Sequence, residues 1–119
     1  MRAVIAITLF TLLSPLSHGA DDNQGKRLYT MYCTQCHGVH GNGLGVNSSR
    51  MSVQPRSHIE REEMMARSDE ELFKVIQQGG KSIDKSNLMP AWGDNLNEEE
   101  ISALVAHLRQ LCCEENGNE

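Results

Sequence analysis

Residues 25–38 read Gly-Lys-Arg-Leu-Tyr-Thr-Met-Tyr-Cys-Thr-Gln-Cys-His-Gly, and the main structural expectations for the chain follow from this segment. Its apolar and small residues recur at helical spacing, so one face of a helix carries Gly25, Leu28, Tyr29, Tyr32 and Cys33. The aspartates at positions 21 and 22 are favourable groups for a helix N-terminus, because carboxylates accept hydrogen bonds from free amides there. The pattern predicts a first helix that begins near this pair and runs toward the cysteines.

The end of this stretch, Cys33-Thr34-Gln35-Cys36-His37, has the C-x-x-C-H spacing of a haem-attachment motif. Cysteines three positions apart on a helical turn direct both sulfurs to the same side, so each can form a thioether with one vinyl group of haem. The histidine that follows can then be held beneath the iron. A single motif of this kind predicts one covalently attached haem, haem c.

Other chemistries also use paired cysteines. A thioredoxin-like redox pair expects alternating strands and helices around it, and alternating strand patterns are absent from this sequence. A zinc site could be written with Cys33, Cys36, His37 and His40, but His37 follows Cys36 too closely for a finger. Haem attachment is therefore the main hypothesis, with disulfide chemistry and zinc as alternatives.

The composition bounds the size and class of the protein. The chain has 119 residues, which suits one small domain, and its formal net charge is −5. Nucleic-acid binding is disfavoured, since it usually requires a surplus of basic residues. Aromatic residues make up only 4% of the chain, so few large side chains are available for a core. A haem would supply the missing apolar surface.

The N-terminal segment has the organisation of a secretory signal peptide. Arg2 supplies the positive start, residues 3–13 carry no charge, and a small-residue stretch ends at Ala20. The apolar run is about half of the roughly 20 residues that a membrane span needs. We expect residues 1–20 to be removed on export, residues 21–113 to form the haem domain and residues 114–119 to be a polar tail. The mature protein would then be soluble and periplasmic.

Further helices are predicted downstream, and the expected fold class is all-α. Ser68 and Glu71 form a capping box before an apolar run that ends at Gly79-Gly80. Asn97 and Glu100 repeat the pattern before the clearest amphipathic stripe, made of Ile101, Leu104, Val105, Leu108 and Leu111. Residues 61–67 are expected to form a short helix within the long loop from residue 38 to residue 67. Met31, Met64 and Met65 are expected to fill the core.

The second axial position of the iron has a candidate in the run Leu88-Met89-Pro90-Ala91-Trp92-Gly93. Pro90 disfavours a helical conformation at Met89, so this run is expected to be an extended strap that can cross a haem face. A thioether at the iron is therefore predicted from Met89. The alternatives are an open position or another side chain, namely Met64, Met65, His40, His58 or His107.

Taken together, these motifs resemble the class I c-type cytochromes, and in particular a small bacterial monohaem member. The resemblance covers nearly all of the mature chain. It implies a fold of three main helices and loops wrapped around one covalent haem, with His37 and Met89 as axial ligands. It also implies that Gly25 and Tyr29 lie where the first helix crosses the last, the glycine permitting close approach.

The resemblance also implies roles for residues around the haem. A proline carbonyl in the long loop of these proteins accepts a hydrogen bond from the ligand imidazole, and Pro55 is the nominal match. Trp92 is expected near the haem, with its indole N–H on a propionate or simply packed. One position departs from the pattern, because His107 stands where the last helix usually carries an aromatic residue.

The function that follows from the resemblance is transfer of one electron through the haem edge, with no independent catalytic site. The partners would be redox proteins of unknown identity, and nucleic acid and a membrane-embedded state are not expected. Two alternatives share the same motifs: a permanently bound haem subunit of a larger oxidoreductase complex, and a haem enzyme or sensor with a displaceable sixth ligand.

Two features outside the haem motifs raise separate expectations. Lys81 and Lys85 flank the Met89 strap, and we expect them to give the haem edge a positive rim. Cys112 and Cys113 are expected to be partly buried thiols in the last helical turn, because a disulfide between adjacent residues is strained. Pairing between molecules is the alternative.

Overall fold

The computed structural model describes residues 22–114, and within them every regular element is helical. The α-helices are α1 (Asp22–Tyr32), α2 (Thr34–His37), α3 (Arg61–Met65), α4 (Asp69–Gln78) and α5 (Glu98–Cys112). Short 3-10 turns span Ser48–Arg50, Gly80–Ile83 and Trp92–Asp94. The predicted signal peptide, residues 1–20, and all but the first residue of the predicted tail lie outside the described residues. No helix of residues 22–114 is long and apolar enough to cross a membrane.

Helix α4 and helix α5 begin where the sequence predicts them to. Ser68 accepts a hydrogen bond from the Glu71 amide, and the Glu71 carboxylate accepts one from the Ser68 amide. Asn97 and Glu100 make the same reciprocal pair at the start of α5. Each box satisfies amides that have no partner within the helix, so the two helix starts are set by local sequence.

Helices α1 and α5 cross in close backbone contact. A Cβ atom built on Gly25 would lie 2.9 Å from the Ala103 carbonyl carbon and from the His107 Cβ, and closer still to the Ala103 carbonyl oxygen. Only glycine therefore fits this point of α1, as the resemblance implies. The buried apolar residues gather beside the crossing: Tyr29, Met64, Leu72, Ile76, Leu96, Ile101, Leu104, Val105 and Leu108.

Arg109 connects helices α3 and α4 to α5. Its guanidinium donates hydrogen bonds to the carbonyl oxygens of Met64 and Arg67, at 2.7 and 2.6 Å, and pairs with the Asp69 carboxylate. These acceptors lie at the end of α3, in the connection and at the start of α4. One charged side chain thus satisfies backbone groups in the turn between two helices, and it fixes both helices against the last one.

Two sequence expectations about side chains are wrong. Met64 is fully buried, but Met31 and Met65 are 66% and 57% exposed, because both lie on the outer face of their helices. Cys112 and Cys113 are joined by a disulfide rather than present as thiols. The link lies where α5 ends, and the Cys113 carbonyl there accepts a hydrogen bond from Arg61.

Candidate haem site

The cysteine-containing turn is held by a glycine-rich loop that runs back along it. The amides of Gly43, Gly45 and Asn47 donate to the carbonyl oxygens of His37, Cys36 and Gln35, at 2.8, 3.0 and 2.9 Å. A Cβ on Gly45 would lie 2.6 Å from the Cys36 carbonyl carbon, so the two backbones are closer than any other residue permits. The backbone hydrogen bonds of the loop after the motif therefore hold the cysteine-containing turn in place.

Cys33 and Cys36 are free cysteines, and both contribute to the wall of one large cavity. Burial and the neighbouring Cys36 raise the pKa of Cys33 to about 12. A redox-active pair needs a lowered thiol pKa, so this environment does not favour the thioredoxin-like alternative. Within the described part of the chain, no three Cys, His, Asp or Glu side chains are grouped to hold a metal ion. The zinc cluster considered from the sequence is therefore not formed by these residues.

His37 presents one ring nitrogen to the protein. Its Nδ1 lies 2.9 Å from the Arg56 carbonyl oxygen, and because a carbonyl only accepts, Nδ1 carries the proton and donates. The other nitrogen, Nε2, is then unprotonated and available to a metal. Burial lowers the pKa of His37, which favours the neutral ring that a metal ligand requires.

The carbonyl that orients His37 is one residue later than the sequence predicts. Pro55 is the expected acceptor, but its carbonyl oxygen lies against Gly43, 2.7 Å from the point where a Cβ of that glycine would stand. The next carbonyl, that of Arg56, meets His37 instead. Pro55 itself still contributes to the wall of the cavity.

Sequence reasoning missed the importance of His58, which it considered only as a remote alternative ligand. The His58 ring stacks on the His37 ring, with centroids 4.2 Å apart and planes inclined by 20°. Its Nδ1 shares a 3.0 Å hydrogen bond with the Tyr29 hydroxyl. Burial and the neighbouring His37 lower the pKa of His58 well below its usual value. No local pattern in the sequence could have indicated that His58 contacts Tyr29 and His37, since both partners are about 20 or more positions away in the chain.

The strap that carries Met89 is seated on the double glycine at the end of α4. The Gly80 amide donates to the Met89 carbonyl at 3.1 Å, and a Cβ on Gly80 would lie 3.3 Å from the Met89 Cβ. Gly79 has a φ of 80°, and a Cβ there would lie 2.8 Å from the Met89 carbonyl oxygen. The sequence assigns these glycines only a helix-ending role, but they also allow the strap to approach the helix end closely.

Lys81 and Lys85 lie next to the Gly79-Gly80 pair that contacts the Met89 strap. Lys81 follows Gly80 directly, and the Lys85 amide donates to the Gly80 carbonyl at 3.0 Å. Both side chains are exposed, and Lys85 also contributes to the wall of the cavity. The positive rim expected from the sequence remains a prediction.

Trp92 packs against Tyr32 at the end of α1. The two ring centroids are 5.0 Å apart, with planes inclined by 54°. Trp92 is half-buried and also contributes to the cavity wall. Its expected hydrogen bond to a propionate stays a prediction.

The cavity brings all six predicted site residues together. It has a volume of about 620 Å³, within the range of roughly 300–1,000 Å³ typical of cofactor pockets. Helices α1, α4 and α5 and the loops between them contribute apolar side chains to its wall. Its lining includes Cys33, Cys36, His37, Pro55, Met89 and Trp92. Among the alternative ligands, His40 is exposed and His107 packs on Tyr29 at the helix crossing.

The cavity also fits the polar part of a haem. Ser57 and Arg67 contribute to its wall, and among the described residues the Ser57 Oγ and the Arg67 Nε are the buried side-chain atoms without a hydrogen-bond partner. Acidic groups bound in the cavity could accept hydrogen bonds from these atoms. An apolar wall, two thiols at C-x-x-C spacing, an imidazole with Nε2 available and these unpaired donors together suit a haem with its propionates.

This helical fold and its C-x-x-C-H turn in the wall of an apolar cavity define a class I c-type cytochrome. The family described as "Cytochrome C oxidase, cbb3-type, subunit III" matches residues 20–108, and the chain belongs to this family. The cofactor of the protein is therefore covalently attached haem c.

Individual relatives support the same class. The chain is 28% identical over 104 residues to cytochrome c6 of Thermostichus vulcanus. This alignment covers 87% of this chain and 82% of the relative. It is 32% identical over 90 residues to cytochrome c oxidase subunit 2 of Alkalihalophilus pseudofirmus, covering 75% of this chain. It is 29% identical over 84 residues to the quinohemoprotein alcohol dehydrogenase ADH-IIG of Pseudomonas putida, covering 71% of this chain. The chain spans only 25% and 10% of these last two relatives.

Solved structures agree with the sequence relatives. The "KustC0563 c-type cytochrome" superposes with a TM-score of 0.61 and 28% identity, over 74% of this chain and 96% of that one. A chain of the Kuenenia stuttgartiensis "reducing HAO-like protein complex Kustc0457/Kustc0458" superposes with a TM-score of 0.61 and 27% identity, over 75% of this chain and 41% of that one. The fold class predicted from the sequence is thereby confirmed.

Proposed function

We propose that the protein is a periplasmic electron carrier that holds one haem c, with His37 and Met89 as the axial ligands. The observation that supports this most is the cavity, whose wall includes the two motif cysteines, His37 and Met89 together. When bound, the haem supplies an iron that alternates between the ferric and ferrous states. Cys33 and Cys36 would hold its vinyl groups through thioethers.

The surrounding residues prepare this site for electron transfer. The Arg56 carbonyl keeps the proton of His37 on Nδ1, and the glycine seat holds the Met89 strap in place. A fixed imidazole and a fixed thioether serve both oxidation states, so little has to rearrange when an electron arrives. The apolar wall excludes water, and the thioether favours the ferrous state. With both axial positions taken, substrate has no access to the iron, which supports a carrier rather than an independent enzyme.

The decisive measurement is an optical spectrum of wild-type protein and of Met89→Leu. Wild type is expected to show the weak long-wavelength band of sulfur bound to ferric iron, and to bind carbon monoxide slowly in the reduced state at neutral pH. Met89→Leu keeps the apolar volume but removes the sulfur. It should lose the band, bind carbon monoxide rapidly and have a lower reduction potential.

Met31→Leu is the matched control, because Met31 is 66% exposed on α1 and should leave the band unchanged. A wild-type protein without the band that binds carbon monoxide rapidly would contradict ligation by Met89. It would instead favour a haem enzyme or sensor with a displaceable sixth ligand.

A permanently bound haem subunit is the second candidate. Three of the similar proteins favour it, since one is described as an oxidase subunit, one as a quinohemoprotein dehydrogenase and one as part of a protein complex. The chain spans only 25%, 10% and 41% of these three proteins. Purification under mild conditions distinguishes the candidates, because a subunit would co-purify with one oxidoreductase in fixed ratio and a shuttle would not.

Export is part of the proposal, with residues 1–20 as the cleaved signal peptide, residues 21–113 as the haem domain and residues 114–119 as a tail. The N-terminal sequence of protein purified from the periplasm should therefore begin at about Ala20 or Asp21. Protein that keeps Met1 and stays with the cytoplasmic fraction would contradict it.

A further inference from the structure

The His58 side chain is confined between two other rings. On one side it stacks on His37, with the two planes inclined by 20°. On the other side its Nδ1 is hydrogen-bonded to the Tyr29 hydroxyl at 3.0 Å, and the residue is 8% exposed. Its backbone amide also donates to the Gly41 carbonyl at 2.5 Å. His58 therefore cannot turn without displacing Tyr29 or His37.

Tyr29 is itself anchored near the close crossing of α1 and α5. Its ring meets the His107 ring edge-on, with centroids 5.2 Å apart, and the His58 ring edge-on at 5.7 Å. His107 lies on α5 at the point where the Gly25 backbone of α1 packs against it. The rings of His107, Tyr29, His58 and His37 thus form a continuous row from the helix crossing to the cavity.

A single hydrogen bond does not fix the plane of an imidazole. The bond from Nδ1 to the Arg56 carbonyl holds one atom of the His37 ring, and coupled rotations about the Cα–Cβ and Cβ–Cγ bonds can still tilt the ring while that bond is kept. A second ring stacked at 4.2 Å blocks this tilting. We propose that His58, held by Tyr29, is a positioning residue that sets the plane of the His37 imidazole and so its orientation at the haem iron. This inference rests on the proposed ligation by His37.

The plane of an axial imidazole determines which iron orbitals it overlaps, so its orientation is visible in the ferric protein. The EPR g values and the order of the paramagnetically shifted haem-methyl NMR signals both report it. A residue that merely supports the fold would change the melting temperature and leave these signals unchanged.

The test compares holoprotein variants that remove the stacked ring, the hydrogen bond or neither. His58→Leu removes the aromatic ring, and it should change the g values and reorder the haem-methyl signals. His58→Phe keeps a flat ring but loses the hydrogen bond to Tyr29, so it should return the signals only to the pattern of Tyr29→Phe. Tyr29→Phe removes only the hydroxyl that holds His58, and it should broaden or shift the same signals by a smaller amount. His40→Leu changes an exposed histidine and should alter nothing.

Wild-type g values and methyl order in His58→Leu would overturn the proposal. If that variant fails to fold, Tyr29→Phe decides, and wild-type signals in it would overturn the proposal equally. Failure of the proposed ligation by Met89 has a different signature, because the sulfur-to-iron band would then be missing from the wild-type protein itself. The orientation signals of a haem bound through His37 would remain measurable in that case.

Discussion

Replacing Cys36 or His37 by alanine is expected to leave a largely unfolded chain without a cooperative thermal transition. The reason is the cavity of about 620 Å³, whose wall includes core residues of α4 and α5. An enclosed void of that size would cost roughly 15 kcal/mol, at about 24 cal/mol per Å³, and this is an upper bound because the cavity is partly open to water. The whole stability of a small domain is about 5–15 kcal/mol, so the loss of the haem removes most or all of it.

The measurement is thermal unfolding followed by circular dichroism, together with covalent haem staining of the purified variants. Gln35→Ala is the matched control, because Gln35 lies inside the same motif with an exposed side chain and an alanine keeps its backbone bonds. It should keep the haem and the wild-type transition. A cooperative, native-like transition in purified protein without haem would contradict the expectation.

Gly25→Ala is expected to lower the melting temperature by roughly 10–20 °C. Local sequence preference alone favours the substitution by about 1 kcal/mol, since alanine is the better helix former. The tertiary contact opposes it, because the new Cβ would overlap the Ala103 carbonyl group and press on the His107 Cβ. Backbone cannot yield as a flexible side chain can, so we expect a net loss of about 2–3 kcal/mol, or roughly 4–8 °C for each kcal/mol.

Thr30→Ala is the control for Gly25→Ala, because it introduces alanine at an exposed position of the same helix. Thr30 is exposed, so this substitution should change the stability by no more than about 0.5 kcal/mol. Thermal unfolding of the two holoproteins gives the comparison. A melting temperature of Gly25→Ala at or above that of wild type would show that α1 and α5 do not cross as closely as described.

Much of the fold could be predicted because its signals are local. Ser68 with Glu71, and Asn97 with Glu100, satisfy amides only three positions away, so the starts of α4 and α5 can be read from neighbouring residues. The exposure of a side chain is harder to predict from neighbouring residues. Met31 and Met65 belong to helices as predicted, but which side of a helix is covered depends on what packs there, and both were wrongly expected to be buried.

Some features of the candidate site can also be predicted from neighbouring residues, and others depend on tertiary packing. The C-x-x-C-H spacing and the proline after Met89 are local, and the structure brings these residues to one cavity. The acceptor of the His37 hydrogen bond was missed by one residue, because which carbonyl faces the ring depends on how the loop packs on Gly43. His58 was not recognised as a partner of His37, since the two are far apart in the chain and only the fold stacks their rings.

Neighbouring residues are enough to establish the helical class, the starts of α4 and α5 and the covalent attachment chemistry, because capping and C-x-x-C-H spacing act over a few positions. Packing between distant segments is needed to establish which carbonyl holds His37, what stacks on its ring and why Gly79 and Gly80 stand beside the Met89 strap. Those features depend on close approach between distant segments, and the energy of such contacts is set by packing rather than by local preference.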